Sequence, residues 1–238
     1  MNRIIHPIIT ALKYLHPPVY KLRLNSLQQN IMPMLRAGDQ VLDVGCGSGA
    51  LGRSIEYSPE CPPRVHVTGL EVFSRGEELT DIKFYDGQTI PYPDKSYDVV
   101  ILADVLHHAS DPPNLICECA RVARRVLIIK DHKIDGFLSQ QRISLMDWAS
   151  NVQYGIPCLY RYNTLTEWKK LLGRLDLEIE IELDSMKIYP AIMDLFFGGR
   201  IQFMAVLRPN GNGCHRVKPL GLDSKPTAFQ NTRISGDS

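Results

Sequence analysis

VLDVGCGSGALG, residues 41–52, reads as a strand that ends at Val44, a glycine turn, and a helix that starts near Ala50. Gly45, Gly47 and Gly49 can take positive φ and let a ligand approach the backbone, and the following helix offers free N–H groups at its start. The stretch also fits the dinucleotide pattern G-x-G-x-x-G/A, with Ala50 in the last place. Taken alone, that fit is equally met by a tight strand-to-helix turn. Two carboxylates add to it. Asp43 lies two residues before the first glycine, and Glu71 closes the next strand 26 residues after Gly45. A carboxylate in that second place can accept both hydrogen bonds of a ribose diol.

Working outward, VHVTGLEV (65–72), SYDVVILA (96–103) and RVLIIKDH (125–132) read as strands. The last two are almost continuously apolar, as strands buried on both faces of a parallel sheet are. PNLICECARVAR (113–124) supplies a crossover helix between them, and a short strand fits around Lys83–Tyr85. Strand–helix–strand repetition of this kind predicts a doubly wound α/β sheet with helices on both faces. TLTEWKKLL (164–172) is a further crossover helix, opened by a capping box of Thr164 and Glu167. LEIEIELD (177–184) alternates strictly, which predicts an edge strand with one dry and one solvated face. RIQFMAVLR (200–208) is close enough in sequence to pair antiparallel with it.

At the front, Ile4, Ile5, Ile8, Ile9, Leu12 and Leu15 share a helical face that stops before Pro17-Pro18. A second helix is expected at about 22–36, bent by Pro33. The domain reading is therefore a helical cap over 1–36 and a main domain over 37–208, with acceptor-covering inserts at 138–163 and 185–199. The segment 209–238 lacks periodicity, is rich in Gly, Pro, Ser, Asn and Thr, and is expected to be disordered.

Composition removes several classes. With 27 Lys+Arg against 26 Asp+Glu in 238 residues, the formal charge of +1 gives no global field for nucleic acid. No apolar run reaches the roughly 18–20 residues of a spanning helix, so no stable membrane insertion is expected. The first residues lack a signal-peptide cleavage pattern, and the six cysteines form no CxxC pair. The expectations are a reducing cytoplasm without a disulfide framework, Cys117 and Cys119 as packing residues, and no metal cluster. The first helix is compatible with closure over a ligand, an oligomer contact or a membrane surface, and the oligomeric state is not legible.

LDVGCGSG (42–49), GLEVF (69–73), YDGQTIPYPDKSYDVV (85–100) and LADVLHHASDP (102–112) together resemble the class I S-adenosylmethionine-dependent methyltransferases, in particular the small type 11 group. The resemblance covers about residues 40–132. It implies a Rossmann-like sheet, mostly parallel with an antiparallel final strand, and S-adenosylmethionine as cofactor. It also implies roles. Asp43, Gly45 and Gly47 would lie under the methionine part, and Glu71 would hold the ribose hydroxyls. Val72 and Phe73 would pack on adenine, Asp86 would meet its amino group and the Gly87 backbone its ring nitrogens. The Leu102-Ala103 backbone would approach the methionine ammonium. Cys61-Pro62-Pro63 departs from the pattern by making the first crossover short, at the end of the sheet away from this pocket.

A general base is needed only where the acceptor must lose a proton. His107 and His108 follow a strand end, where the resemblance expects a structural histidine. His132 is the expected base, since its strand points it at the mouth of the sheet with Asp131 as a possible neighbour. In the insert, Leu138, Ile143, Met146, Trp148, Tyr154, Tyr160 and Tyr162 suit a cover, with Asp147, Asn151 and Arg161 to orient polar groups. Trp148, Asn151 and Tyr160 are the chosen acceptor contacts, joined by Tyr189, Met193 and Phe196 from the second insert. The expected reaction is O- or N-methylation of a small or medium organic acceptor, a metabolite or natural-product intermediate. A protein or lipid-linked acceptor, or a cofactor-binding regulatory subunit without transfer activity, are the alternatives.

Overall fold

The computed structural model describes residues 18–74, 76, 78–152, 158–190, 194, 197–209 and 214. The helix expected at 4–15, the contacts expected of Tyr154, Met193 and Phe196, and nearly all of the 209–238 segment lie outside these residues.

Helix α1 spans 18–31, and the chain then tightens into a 3-10 turn, Met32–Met34. The expected helix of 22–36 therefore starts earlier and ends sooner. Pro18 is tolerated at a helix start, whereas Pro33 has no N–H to continue one. After α1 the elements are β1 (Gln40–Val44), α2 (Ala50–Glu56), β2 (His66–Glu71), β3 (Ile82–Phe84), β4 (Tyr97–Ala103), α3 (Pro112–Val122), β5 (Ala123–Ile134), α4 (Ser139–Asn151), β6 (Asn163–Thr164), α5 (Leu165–Arg174), β7 (Glu178–Leu183) and β8 (Gln202–Arg208). The sheet runs β3-β2-β1-β4-β5-β8-β7, with the two-residue β6 paired to the end of β5. All pairs are parallel except those of β8, which runs antiparallel to both β5 and β7. The expected mostly parallel sheet with an antiparallel final strand is what the chain forms.

The continuous apolar strands divide by period two between two layers. Leu42, Val44, Val100, Leu102, Leu127 and Ile129 pack with Trp168 and Leu172 of α5 on one face. Val41, Val99, Ile101, Val126 and Ile128 pack with Leu27 and Ile31 of α1 and Leu51 and Ile55 of α2 on the other. The strand order reverses at β1, between β2 and β4, and the crevice beyond the carboxyl ends there is where ligands enter such sheets. Capping of α5 is as expected: the Glu167 N–H reaches Thr164 Oγ1 at 3.2 Å and the Thr164 N–H reaches Glu167 Oε2 at 2.7 Å.

Three readings need correction. β5 begins at Ala123, directly after α3, and is twelve residues long. Its pairing with β4 ends at Ala103–Lys130, so Asp131–Ile134 project beyond β4 over the crevice. The alternation of β7 is broken by a register shift between Ile179 and Ile181, and Ile181 is left 38% exposed, which a strand at the sheet edge tolerates. Cys117 is not a simple packing residue. It forms a disulfide with Cys214, 97 residues later, while Cys46, Cys61, Cys119 and Cys158 are not disulfide-bonded. No linear spacing announces a pair made by folding Cys214 back onto α3. Among the described residues, no helix is long and apolar enough to cross a membrane.

Candidate functional site

The glycine turn is built from backbone contacts. Gly45 sits at φ 71°, and an added Cβ there would lie 2.5 Å from Val105 Cγ2, so the turn fits only glycine. Its N–H donates to Leu70 O across the sheet at 2.7 Å. Glu71, buried at the end of β2, accepts from the Gly47 N–H at 2.8 Å and the Val72 N–H at 2.7 Å, one on each oxygen. It therefore shapes the turn and still has lone pairs to spare. Asp43 is buried beneath the turn, and its Oδ2 has no partner. Burial, with some help from Glu71 and against the pull of Arg23, pushes its carboxyl up to about 7.

Beside Glu71, Val72 and Phe73 stand about half exposed. The Tyr85 N–H bonds Glu71 O at 3.1 Å, which brings the next residues, Asp86 and Gly87, to the same edge. Asp86 Oδ1 accepts from the Gln88 and Thr89 N–H groups at 2.8 and 2.9 Å, and these bonds hold its carboxyl below the usual range. Gly87 lies against Val72.

A cavity of about 820 Å³ runs from the glycine turn across the ends of β4 and β5. Asp43, Gly45, Gly47 and Ala103 line it, whereas Glu71, Val72, Phe73, Asp86, Gly87 and the buried Leu102 lie outside its lining. Arg23 of α1 and Lys130 of β5 meet over Asp104, through Arg23 Nε–H to Oδ2 at 2.8 Å and Lys130 Nζ–H to Oδ1 at 2.5 Å. Asp104 is held at φ 59°. Burial opposes its charge, but Lys130 and Arg23 win and hold the carboxyl well below the usual range. Arg23, Asp104 and Lys130 were missed in the sequence. Lys130-Asp131-His132, a charged end on an apolar strand, carried a signal for one of them, but nothing in the α1 pattern singled out Arg23.

His132 lines the cavity as expected. Its Nδ1 is buried without a partner, and Nε2 is 3.7 Å from Asp104 Oδ1. Burial pushes the imidazole down to about 4, reinforced by Lys130 and His107 and opposed by Asp104, so the ring is neutral at pH 7. The indole N–H of Trp168 holds the His132 carbonyl at 3.1 Å. The expected neighbour Asp131 meets His132 through the backbone, accepting the His132 N–H on Oδ1 at 2.7 Å, and not through the imidazole, because side chains of adjacent strand residues point to opposite faces. Asp131 also takes His107 Nδ1–H at 2.6 Å on Oδ1 and the Leu106 N–H at 3.1 Å on Oδ2.

His107 and His108 close a 3-10 turn, Leu106–His108, and both line the cavity. Burial disfavours charge on His107, but Asp131 and Asp147 outweigh it and push the imidazole up to about 10. Asp147 of α4 receives His108 Nε2 at 3.1 Å, Asn151 Nδ2–H at 2.8 Å and the Tyr162 O–H at 2.8 Å. Met146, Asp147, Ser150 and Asn151 are the α4 residues in the lining. Trp148 falls on another side of that helix, and Tyr160 is 42% exposed; neither lines the cavity. No metal was expected, yet one group of side chains has ligand-like geometry. Ligand-type atoms of His107, His108 and Asp147 all lie within 4.8 Å of one another, a cluster concealed in the sequence because its carboxylate comes from α4.

A family model described as a methyltransferase domain matches residues 20–180. The chain belongs to the methyltransferase family. Similar proteins include the 27-O-demethylrifamycin SV methyltransferase of Amycolatopsis mediterranei, 33% identical over 115 residues that cover 43% of this chain and 40% of that one. The ubiquinone biosynthesis O-methyltransferase of Aromatoleum aromaticum is 28% identical over 100 residues, 37% of this chain and 41% of its own. The chain thus spans about two fifths of the length of these curated relatives. Among solved structures, an S-adenosylmethionine-dependent methyltransferase from Aquifex aeolicus superposes with a TM-score of 0.53 at 18% identity, over 85% of this chain and 98% of that one, a likeness of fold. S-adenosylmethionine is the cofactor of the family, and the residues present fit it. The orphaned Oδ2 of Asp43 can receive a donor, the glycine turn leaves the backbone open, and Glu71 has lone pairs free for hydroxyls.

Proposed function

We propose that this methyltransferase moves the S-adenosylmethionine methyl group to an oxygen or nitrogen of a small or medium organic molecule, a metabolite or natural-product intermediate. The observation that carries this reading is the cavity of about 820 Å³ that joins the glycine turn to His132 and is lined in part by α1 and α4. Its size is that of a small-molecule site. The relatives named for a rifamycin and a ubiquinone precursor support the same acceptor class.

Bound S-adenosylmethionine supplies an electrophilic methyl group on a cationic sulfur that leaves as a neutral thioether. The chain's part is to hold, align and exclude water. Asp43, Gly45 and Gly47 with the Leu102-Ala103 backbone would hold the methionine end, Glu71 the ribose hydroxyls, and Val72, Phe73, Asp86 and Gly87 the adenine. Where the acceptor is a hydroxyl, the His132 imidazole, which lines the cavity, takes its proton. The depressed pKa keeps the ring neutral, so that one of its nitrogens is free to accept. Asn151 orients the acceptor from the α4 side.

The test is S-adenosylhomocysteine binding by calorimetry, followed by incubation with cofactor and a panel of hydroxylated and amine-bearing metabolites, read by mass spectrometry. A product one methyl group heavier, with S-adenosylhomocysteine formed in equal amount, is expected. Saturable binding with no transfer to any acceptor would instead make the chain a cofactor-binding subunit.

A further inference from the structure

His107, His108 and Asp147 are arranged as the ligands of a metal ion are. Asp147 Oδ1 lies 3.1 Å from His108 Nε2 and 3.6 Å from His107 Nε2. Ligand atoms bonded at about 2.0–2.1 Å to a tetrahedral ion stand roughly 3.3 Å apart, close to the two separations that Asp147 makes, and all three atoms lie within 4.8 Å of one another.

A second observation concerns what stands behind them. His107 gives its Nδ1–H to the buried Asp131 at 2.6 Å, which leaves Nε2 directed at Asp147. A ligating histidine characteristically donates its other N–H to a carboxylate in this way, which sets the tautomer and ring orientation. Asp131 is itself fixed by the Leu106 N–H, and Asp147 is braced on Oδ2 by the Tyr162 hydroxyl at 2.8 Å. Asp147 Oδ1 also accepts the Asn151 Nδ2–H at 2.8 Å, which an ion would displace, and His108 Nδ1, the ring nitrogen not turned to Asp147, is buried without a partner. Finally, all three side chains line the cavity that holds the glycine turn and His132, so an ion there would have positions open on the side where an acceptor must lie.

We propose that His107, His108 and Asp147 bind one divalent first-row transition-metal ion. Two imidazoles and one carboxylate suit zinc, cobalt or nickel better than magnesium or calcium. The ion's open positions would take an acceptor with two adjacent oxygens, such as a vicinal diol, a catechol or a hydroxyl beside a carbonyl, and so hold one of them toward the methyl donor. The acceptor half of this inference rests on the methyl-transfer reading; the ion half does not.

The experiment uses the full chain, stripped with a chelator and titrated with Co²⁺ alone by visible absorption and with Zn²⁺ alone by calorimetry. One equivalent should bind, with a Co²⁺ spectrum of nitrogen and oxygen ligation. His108→Ala and Asp147→Asn should each weaken binding at least about tenfold while S-adenosylhomocysteine affinity is retained. His66→Ala, at a surface imidazole 3.0 Å from Glu56, should leave ion binding unchanged. Absence of stoichiometric uptake by the wild-type chain overturns the proposal even if a variant fails to fold, and so does undiminished uptake in both site variants. Failure of the methyl-transfer reading would show separately, as no S-adenosylhomocysteine binding by the wild-type chain.

Discussion

The two ends of the cavity are made differently. At the glycine turn, the contacts are backbone groups and a carboxylate from the adjacent strand, as in Glu71 holding the Gly47 N–H. At the other end, charged side chains from distant segments meet: Arg23 with Asp104, 81 residues apart, and His107 with Asp147 from α4. The first end depends on local conformation, so its residue types are constrained one by one. The second depends on the whole sheet forming first, so its residues are constrained only by where the fold delivers them.

The sharpest way to break the first end is Gly45→Val. The positive φ and the 2.5 Å approach to Val105 leave no room for a side chain, and loss of S-adenosylhomocysteine binding with destabilisation of about 3 kcal/mol or more is expected. Calorimetry and denaturant unfolding check it; binding at wild-type affinity would refute the placement of the turn under the cofactor. At the second end, His132→Asn should slow transfer to a hydroxyl acceptor by about 10²–10⁴-fold while leaving S-adenosylhomocysteine affinity intact. Equal turnover in single-turnover assays would remove His132 as the base.

The same histidine gives a pH signature that the glycine turn lacks. Its folded pKa, about 4, is below the ordinary 6.5, so between those values the unfolded chain binds more protons than the native one. Stability contributed by the neutral ring is complete above pH 6.5 and is lost as pH falls towards 4, by about 3 kcal/mol in all. Unfolding of wild type and His132→Asn compared from pH 7 to pH 4 should show a steeper fall in the wild type. Parallel curves would mean that the ring is not held neutral. Smallest is Glu71→Ala, which should weaken S-adenosylhomocysteine binding by about 1–3 kcal/mol through loss of a charged acceptor and a looser turn. Unchanged affinity would place the ribose elsewhere.

Legibility followed this division. VLDVGCGSG and the apolar strands announced the sheet, its order of elements and the turn, because strand and glycine geometry are local properties of a few consecutive residues. Capping of α5 by Thr164 and Glu167 was legible for the same reason. The insert was readable as a cover but not in its faces: Asp147 and Asn151 point into the cavity while Trp148 does not, a matter of about 100° of helix rotation per residue that the mixed pattern of α4 left open. The projection of β5 past β4 was equally hidden, although it carries His132 into the cavity lining and Asp131 behind His107.

By itself, the sequence determined that this chain forms a glycine turn at the reversal point of a parallel sheet with an acidic residue on the neighbouring strand, since those features follow from backbone conformation and short spacing. Only the tertiary structure decided that Asp104 is clamped by Arg23 and Lys130, that Cys117 meets Cys214, and that two histidines and an aspartate converge beside His132. Those pairings depend on distances set by the packing of whole elements, which no spacing along the chain encodes.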